Sequence, residues 1–325
     1  MRAWKVEEFG PYKEALSIGE APEPELASDG VIIDVHATGV MYADLLNIAG
    51  QYQVQPPLPF IPGSEAAGEV LEAGPDSRFK PGDRVVTVNL MGGFAEKALG
   101  MNANTFPIPE NMSYIDAACF CINYQTAYMG MIYRGRLKEG ETVLVQAGAS
   151  GVGIAAIQLA KALNCTVIAT ASTEAKLEAC RQAGADHLIN YNEADFVAEV
   201  KNLTGGQGVD VVFDPVGGDV FDKSTKCIAF EGRLLIIGFA SGRIPEIPAN
   251  RLLLKNADAI GVFFGNYSLY RNAFVHETLE TLYDFYRKGQ IKPLIYKEYS
   301  FEELPAALEA IESRRCHGKP VLVLK

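Results

Sequence analysis

A glycine-rich segment in the middle of the chain has the residue types and spacing that hold a dinucleotide. Gly148, Ser150 and Gly153 stand in a G-x-G-x-x-G-like frame, with Gly151 and Val152 between them. The segment follows the apolar run TVLVQ and opens the helical pattern GVGIAAIQLAKAL, which is the context that the motif requires. Small residues let the backbone approach a pyrophosphate, whose charge then lies against the helix N-terminus. We predict a cofactor turn in which the Ser150 hydroxyl donates to a phosphate. The alternative is a tight turn that binds nothing.

The end of the next predicted strand indicates which nicotinamide cofactor is preferred. An Asp or Glu there would bind the ribose hydroxyls of NAD, but here Ala171 and Ser172 follow TVIAT. Ser172 can donate a hydrogen bond to a phosphate, and Lys176 lies one helical turn further on, whereas Glu174 is unfavourable to a phosphate. Charge-assisted hydrogen bonds contribute roughly 1.5–3 kcal/mol, which corresponds to about one to two orders of magnitude in affinity for NADPH over NADH. The pattern favours NADPH.

Three further predicted strands end beside residues that could line the nicotinamide. Ligands of parallel sheets bind beyond the carboxyl ends of the strands. Gly217 follows VDVVFD, Gly238 and Phe239 follow RLLII, and Phe264 follows DAIGV. Each of the four is explained equally well as a turn glycine or a core aromatic, so the prediction rests on their shared position.

The elements that must position these residues alternate between strand and helix. Short apolar strands separated by helices predict βαβ units and a parallel sheet. Residues 1 to about 122 are instead β-rich and punctuated by Gly and Pro, and 115–133 predicts a helix with Asp116 in its first turn. After residue 268 we expect two helices and a closing strand, VLVLK, that joins the first unit's sheet. The predicted central strands are 142–146, 166–170, 187–190, 209–214, 233–238 and 258–264, with helices over 151–163 and 173–183.

Composition excludes several classes of protein. The chain has 325 residues, 48% apolar and 21% charged, which predicts two globular domains rather than disorder. A net charge of −11 argues against nucleic acid as a partner. No apolar run approaches the roughly 18 residues of a membrane helix, and Lys5, Glu7 and Glu8 stand where a signal peptide would be apolar. We expect a cytoplasmic protein whose six scattered cysteines are reduced thiols.

Eight motifs occur in collinear order along nearly the whole chain: MYADLLNIAGQY, PFIPGSEAAGEV, KPGDRVV, GGFAEKA, AGASGVGIAAIQLAKAL, GADHLINY, GVDVVFDPVGG and GKPVLVL. In these motifs the chain resembles the zinc-independent medium-chain dehydrogenase/reductases of the NADPH:quinone oxidoreductase (zeta-crystallin-like) branch. The resemblance implies an α/β fold, in which a GroES-like β-rich substrate domain at 1–122 and 268–325 accompanies a Rossmann doubly wound parallel sheet at 123–267, with a cleft between them.

The resemblance carries roles to individual residues. Ser172, Lys176 and Tyr191 match positions that hold the adenosine phosphate. Arg314, in ESRRCHG, matches a basic residue near the cofactor's phosphates.

Three positions match the substrate side of the family's active site. Tyr52 matches a tyrosine that faces the substrate, and Asp44 and Thr126 match positions that line the active site. Met41 departs from the family, which often has Asn there. That departure puts a substrate hydrogen bond at this position in doubt.

The residues argue against a zinc site. Zinc-dependent relatives use a Cys where Met41 stands and a His where Ser64 stands, and no cysteine lies between Gly82 and Glu110, where their structural zinc lobe would be. Zinc needs about four ligands, at least three of them from protein. We therefore expect no metal.

Together these features predict an NADPH-dependent quinone oxidoreductase that transfers a hydride to a quinone or another conjugated carbonyl. Without a metal, hydrogen-bond donors or water must meet the charge that grows on the acceptor oxygen. Tyr52 is the first candidate donor, with the nicotinamide ribose or a water as alternatives, although a packed loop aromatic explains Tyr52 equally well. One alternative is an alkenal or enoyl-thioester reductase, which would need basic residues such as Arg251, Lys255 or Arg271. Another is a non-catalytic NADPH-binding structural or RNA-associated protein. The apolar edge strand DAIGVFFG predicts a homodimer.

Overall fold

The computed structural model describes all 325 residues of the chain. They form two compact units, one of Met1–Ile122 with Ile295–Lys325 and one of Asn123–Leu294. In chain order the strands are β1 (Arg2–Val6), β2 (Leu16–Glu20), β3 (Gly30–Gly39), β4 (Glu65–Ala73), β5 (Arg84–Val88), β6 (Lys97–Met101), β7 (Thr105–Pro107), β8 (Thr142–Val145), β9 (Thr166–Ala171), β10 (His187–Asn190), β11 (Val209–Asp214), β12 (Ile228–Ile236), β13 (Asp258–Gly261), β14 (Ile295–Ser300) and β15 (Lys319–Val323). The α-helices are α1 (Tyr12–Ala15), α2 (Tyr42–Ile48), α3 (Tyr114–Ala117), α4 (Cys121–Ala127), α5 (Gly151–Ala162), α6 (Glu174–Gln182), α7 (Phe196–Leu203), α8 (Gly218–Ser224), α9 (Ala249–Lys255), α10 (Phe264–Tyr270), α11 (Asn272–Arg287) and α12 (Leu304–Glu312).

The first unit is built on a mixed sheet with strand order β14-β15-β3-β4-β5-β7, and β6 pairs with the long strand β3. The closing segment VLVLK was predicted to return to this sheet. That prediction is confirmed, because β15 pairs antiparallel with β3 through Leu322 opposite Thr38. Apolar side chains from α2, α12 and the strands form its main core, and the Trp4 indole N–H donates to the Phe301 carbonyl at 2.9 Å.

The second unit is a six-stranded sheet with order β10-β9-β8-β11-β12-β13. Every pair in it is parallel, as the near-continuous apolar strands predict. The chain leaves β8 in one direction along the sheet and resumes at β11 on its other side. This reversal is the topological switch point at which doubly wound sheets bind ligands.

The helix predicted over 115–133 is broken into three pieces. Asp116 lies in the first turn of α3, where the Ser113 hydroxyl accepts its amide at 3.0 Å. The next helical turn is narrower than an α-helix, since the amides of Cys119 and Phe120 donate to carbonyls three residues back. The amide of Ile122 donates instead to the Glu65 carboxylate at 3.2 Å. A buried side chain far away in sequence therefore takes over part of the helical ladder, and a π-helix at Tyr128–Arg134 follows α4.

The second boundary between the units differs from the expected residue 268. The return to the first unit falls at Ile295, because α11 is tied to the second unit by a buried polar pair. The Gln125 amide donates to the Val275 carbonyl at 2.8 Å and accepts from the Thr278 hydroxyl at 2.8 Å. The strand predicted at 258–264 is also shorter, and its last residue, Phe264, begins α10. No helix combines the length and the apolar character needed to cross a membrane.

Candidate functional site

The turn between β8 and α5 brings two backbone segments unusually close together. Ala147 has a left-handed backbone with φ 49°. A Cβ on Gly153 would lie 2.5 Å from the Ala147 carbonyl oxygen, and one on Gly148 would lie 2.9 Å from the Cys180 sulfur. Any side chain at these two positions would push the turn apart. The predicted glycines are therefore required by packing, and they leave a narrow cradle at the start of the helix.

Ser150 caps this helix. Its hydroxyl accepts from the Gly153 amide at 3.1 Å and donates to the Ala147 carbonyl at 2.8 Å. The hydroxyl proton that we expected to face a phosphate is thus engaged within the turn. The amides of Gly151 and Val152 are the first two of α5, and such amides have no acceptor within a helix. An anion at this helix N-terminus would be met by backbone N–H groups.

The residues predicted to hold the adenosine phosphate come together beyond β9 and β10. The Lys176 ammonium donates to the Ser172 hydroxyl at 3.3 Å. Tyr191 follows β10 with 46% of its surface exposed, and its amide donates to the Ala171 carbonyl at 3.1 Å. Asn192, which sequence reasoning missed, donates its side-chain amide to the Ser172 carbonyl at 2.8 Å. A serine, a lysine and a tyrosine therefore border one patch.

Glu174, the carboxylate that argued against NADPH, is mostly exposed near Arg181. The two charged groups are 3.9 Å apart on the same helix, and the Glu174 side chain is 79% exposed. Arg181 also pairs with Glu178. A solvated carboxylate near an arginine repels a phosphate only weakly, because water and the cation screen it.

Three of the residues predicted to line the nicotinamide meet at the carboxyl ends of β11 and β12. Gly217 has φ +69°, and a Cβ there would lie 2.9 Å from the Phe239 ring, while Gly238 lies against Pro215. Asp214 shapes this turn by accepting from the Val216 and Gly217 amides at 2.7 and 3.0 Å. Burial raises the pKa of Asp214 to about 6, although the two amides oppose the shift.

The remaining predicted residues are spread over different elements. Phe264 is buried as the first residue of α10, and Thr126 is half-buried in α4. Arg314 belongs to the other unit, where it is exposed after α12 with φ 54°.

In the first unit a carboxylate is fully buried at the start of α2. The Asp44 carboxylate accepts from the Met41 amide at 2.8 Å and from the Ser64 hydroxyl at 3.3 Å. Burial raises the pKa of Asp44 to about 7, against the Met41 amide and the charge of Lys319. Tyr52 is half-buried, and both burial and the charge of Asp44 raise the pKa of its hydroxyl.

A buried ion pair adjoins this carboxylate. The Lys319 ammonium donates to the Glu65 carboxylate, and the side chains are 4% and 0% exposed. Burial, the largest single effect, lowers the pKa of Lys319, but the charge and hydrogen bond of Glu65 together with the charges of Cys119 and Asp44 outweigh it, and the pKa is raised. Gly39 provides the space, because a Cβ there would lie 2.5 Å from the Lys319 side chain. Sequence reasoning noted GKPVLVL as a motif and missed this pair, whose members are 254 residues apart.

Comparisons with known proteins agree with this fold. The profile described as "Alcohol dehydrogenase GroES-like domain" matches residues 27–110, and the one described as "Zinc-binding dehydrogenase" matches residues 151–281. A GroES-like unit and a Rossmann unit in one chain define a medium-chain dehydrogenase/reductase.

Relatives place the chain within that class. It is 39% identical over 315 residues to the rat protein named "Quinone oxidoreductase-like protein 2", covering 96% of this chain and 90% of that protein. It is 33% identical to rat "Quinone oxidoreductase" over 100% of this chain and 98% of that one. The Escherichia coli quinone oxidoreductase solved with NADPH superposes with a TM-score of 0.92 at 28% identity, with both chains covered to 100%. The chain belongs to the medium-chain dehydrogenase/reductase family as an oxidoreductase of the quinone oxidoreductase type.

The donor set does not fit the zinc that one profile's description implies. Met41 and Ser64 stand at two positions where zinc-dependent relatives have ligands, and the Glu65 carboxylate is already bound by Lys319. No group of three or more His, Cys, Asp or Glu side chains is arranged to hold a metal ion. All six cysteines are free thiols, five of them buried, and burial raises the pKa of Cys119 to about 12.

Proposed function

We propose that this chain is an NADPH-dependent quinone oxidoreductase that transfers a hydride to a quinone or another conjugated carbonyl without a metal. The observation that carries the cofactor half of this proposal is the Ser172–Lys176 contact at the end of β9, where no carboxylate stands. The acceptor half rests on the quinone oxidoreductase family to which the chain belongs.

The turn and the strand ends would hold the cofactor along the carboxyl edge of the sheet. Backbone amides at Gly151 and Val152 would face the pyrophosphate, as the helix N-terminus favours anions. Ser172, Lys176 and Tyr191 would surround the adenosine phosphate. The bound nicotinamide supplies the hydride. Gly217, Gly238, Phe239 and Phe264 would line it, and Arg314 would neutralise phosphate charge.

Tyr52 is our proposed donor to the acceptor oxygen. Hydride transfer leaves negative charge on that oxygen, and a preorganised donor stabilises it. A tyrosine hydroxyl has a pKa of about 10, and burial and Asp44 raise that of Tyr52 further. The hydroxyl therefore keeps its proton at neutral pH and can donate. Thr126 is proposed to line the active site. Asp44 is fully buried, so we propose that it acts through Tyr52 and does not line the site itself.

NADPH consumption followed by absorbance tests the proposal, with 1,2-naphthoquinone as the acceptor and a simple enone and NADH in parallel. We expect turnover with the quinone, much less with NADH, and a loss of turnover in Tyr52→Phe. Turnover with the enone alone would indicate an alkenal or enoyl reductase instead. If Tyr52→Phe matches the unmodified chain for both acceptors, the donor role is wrong.

The two other candidate functions have less support. An acyl-thioester substrate needs free basic groups. Arg251 donates to the Thr225 hydroxyl at 2.7 Å and Arg271 lies over the Tyr133 and Phe274 rings, so two of the three basic candidates are already engaged and Lys255 alone remains. A non-catalytic protein would bind NADPH without turning over any acceptor, which the same assay detects.

We also infer that the chain forms a homodimer through the edge strand β13. Edge strands expose unpaired backbone groups and are usually covered. The flanking helices α9 and α10 carry apolar side chains that are almost fully solvated, with Leu253 75%, Leu254 78%, Leu269 72% and Tyr270 76% exposed. A second copy of the chain can cover this surface, because its own β13 can pair with the exposed β13 and extend the sheet.

A further inference from the structure

The first unit buries an unequal number of opposite charges. Asp44, Glu65 and Lys319 are 0%, 0% and 3% exposed, so two carboxylates share one ammonium. A buried charge without a partner is costly, and the usual outcome is that the group takes up a proton instead. Charge balance alone therefore favours one additional proton in this cluster.

The hydrogen bonds indicate which carboxylate takes that proton. Glu65 accepts from the Lys319 ammonium and from the Ile122 amide. Both donors favour its ionised form. Asp44 accepts one amide, from Met41, and one long hydrogen bond from the Ser64 hydroxyl. A hydroxyl can turn and accept from a protonated carboxyl, so Asp44 can gain a proton without losing either partner.

The protonation state of the Asp44 carboxyl affects the pKa of the Tyr52 hydroxyl. After burial, the charge of Asp44 is the other cause that raises the pKa of the Tyr52 hydroxyl. Ionised Asp44 makes Tyr52 a weaker acid and a weaker donor, whereas neutral Asp44 removes that effect. The charged and titratable groups facing Asp44 are Lys319 of β15, Glu65 of β4 and Tyr52, with Ser64 as the neutral polar neighbour.

We propose that Asp44 is a positioning residue whose protonation sets the hydrogen-bond strength of Tyr52, and that the Glu65–Lys319 pair fixes the pH at which this happens. The role of Tyr52 in it rests on the proposed function, while the titration itself does not. Asp44 is fully buried, so it acts through Tyr52 and not by touching the acceptor. With Asp44 protonated, the acceptor oxygen meets the stronger donor.

The first experiment uses the chain alone and measures the protonation of Asp44 by infrared difference spectroscopy of its carboxyl stretch against pH. Because burial raises the pKa of Asp44 to about 7, we expect a titration near neutrality that is absent in Asp44→Asn. Glu65→Gln removes the repelling carboxylate and should move the midpoint to lower pH. Glu69→Gln, an exposed change on the same strand, should leave it unmoved. An Asp44 carboxyl that stays ionised throughout the neutral range would overturn the proposal.

The second experiment measures Tyr52 directly. Tyrosinate absorbance, taken as the difference between the chain and Tyr52→Phe, should appear at lower pH in Asp44→Asn than in the unmodified chain. An unchanged Tyr52 titration would overturn the coupling, whatever the enzyme's substrate is.

The third experiment measures turnover against pH. Turnover with the quinone should fall as the pH rises through the Asp44 midpoint, and this step should vanish in Asp44→Asn and move to lower pH in Glu65→Gln. If Asp44 titrates but turnover shows no step at the same pH, the role of Asp44 is refuted and the proposed function still stands. Absence of turnover with every acceptor would refute the proposed function, and the two titrations would still decide the coupling between Asp44 and Tyr52.

Discussion

Replacing Lys176 with alanine separates the two nicotinamide cofactors. NADPH differs from NADH by one phosphate, and the Lys176 ammonium lies 3.3 Å from the Ser172 hydroxyl, so one phosphate oxygen can be reached by both groups. NADH offers nothing for the lysine to hold. The variant should therefore weaken NADPH binding and leave NADH binding nearly unchanged.

The expected magnitude follows from the exposure of the site. A charge-assisted hydrogen bond contributes roughly 1.5–3 kcal/mol. Lys176 is only partly buried, so water and salt screen it and the lower end applies. The dissociation constant for NADPH should rise about tenfold. Raising the ionic strength should reduce the gap between the unmodified chain and the variant, because screening weakens the same interaction.

Calorimetric titration of both cofactors into both proteins measures the effect. Arg181→Ala is the matched control, since it removes a positive charge from the same helix but one that already pairs with Glu178. It should change NADPH binding far less than Lys176→Ala. Equal weakening of NADPH and NADH by Lys176→Ala, or equal effects of the two variants, would refute direct contact between Lys176 and the phosphate.

Two further predictions concern the turn and the dimer. Gly153→Val should weaken the binding of both cofactors by about tenfold or more, because its Cβ would lie 2.5 Å from the Ala147 carbonyl oxygen. Gly10→Ala is the control, since its Cβ would make only an ordinary contact at 3.8 Å, and it should leave cofactor binding unchanged. Unchanged titration curves for Gly153→Val would show that the cradle is not the cofactor site. Leu253→Glu combined with Leu254→Glu should sediment as a monomer while Leu203→Glu, on α7, should not. A chain that is already monomeric at micromolar concentration contradicts the dimer.

Local patterns in the sequence predicted the second unit closely. The strands VDVVFD and HLIN match β11 and β10 residue for residue, because their buried β-branched runs end at clear turn signals. The turn at Gly148–Gly153 was also evident, since close backbone approach leaves no choice but glycine. Ser172 and Lys176 were noted from the residues, whereas Tyr191 was added by the family resemblance. The parallel topology explains why they are neighbours, because it brings the ends of adjacent strands to one edge.

Features that depend on individual side-chain contacts, local or distant, were not predictable in this way. The Ser150 hydroxyl was expected to face a phosphate, but it is used by the helix cap and the Ala147 carbonyl. The break in the 115–133 helix depends on a Glu65 carboxylate that no local pattern connects with Ile122. The boundary at 268 was misplaced because Gln125 and Thr278 are 153 residues apart.

The discontinuity of the first unit has a physical reason in the same buried pair. Strand β4 supplies the anion Glu65, β15 supplies the cation Lys319, and β3 supplies Gly39, the one residue small enough to leave room for the lysine. Removing one partner of a buried pair leaves an uncompensated charge, which typically costs about 3–5 kcal/mol. A first unit without its C-terminal strand would therefore hold Glu65 without its cation, beside a carboxylate that already favours protonation. The returning strand β15 therefore completes the electrostatics around Asp44 as well as the sheet, and the charge that Asp44 exerts on Tyr52 depends on Lys319.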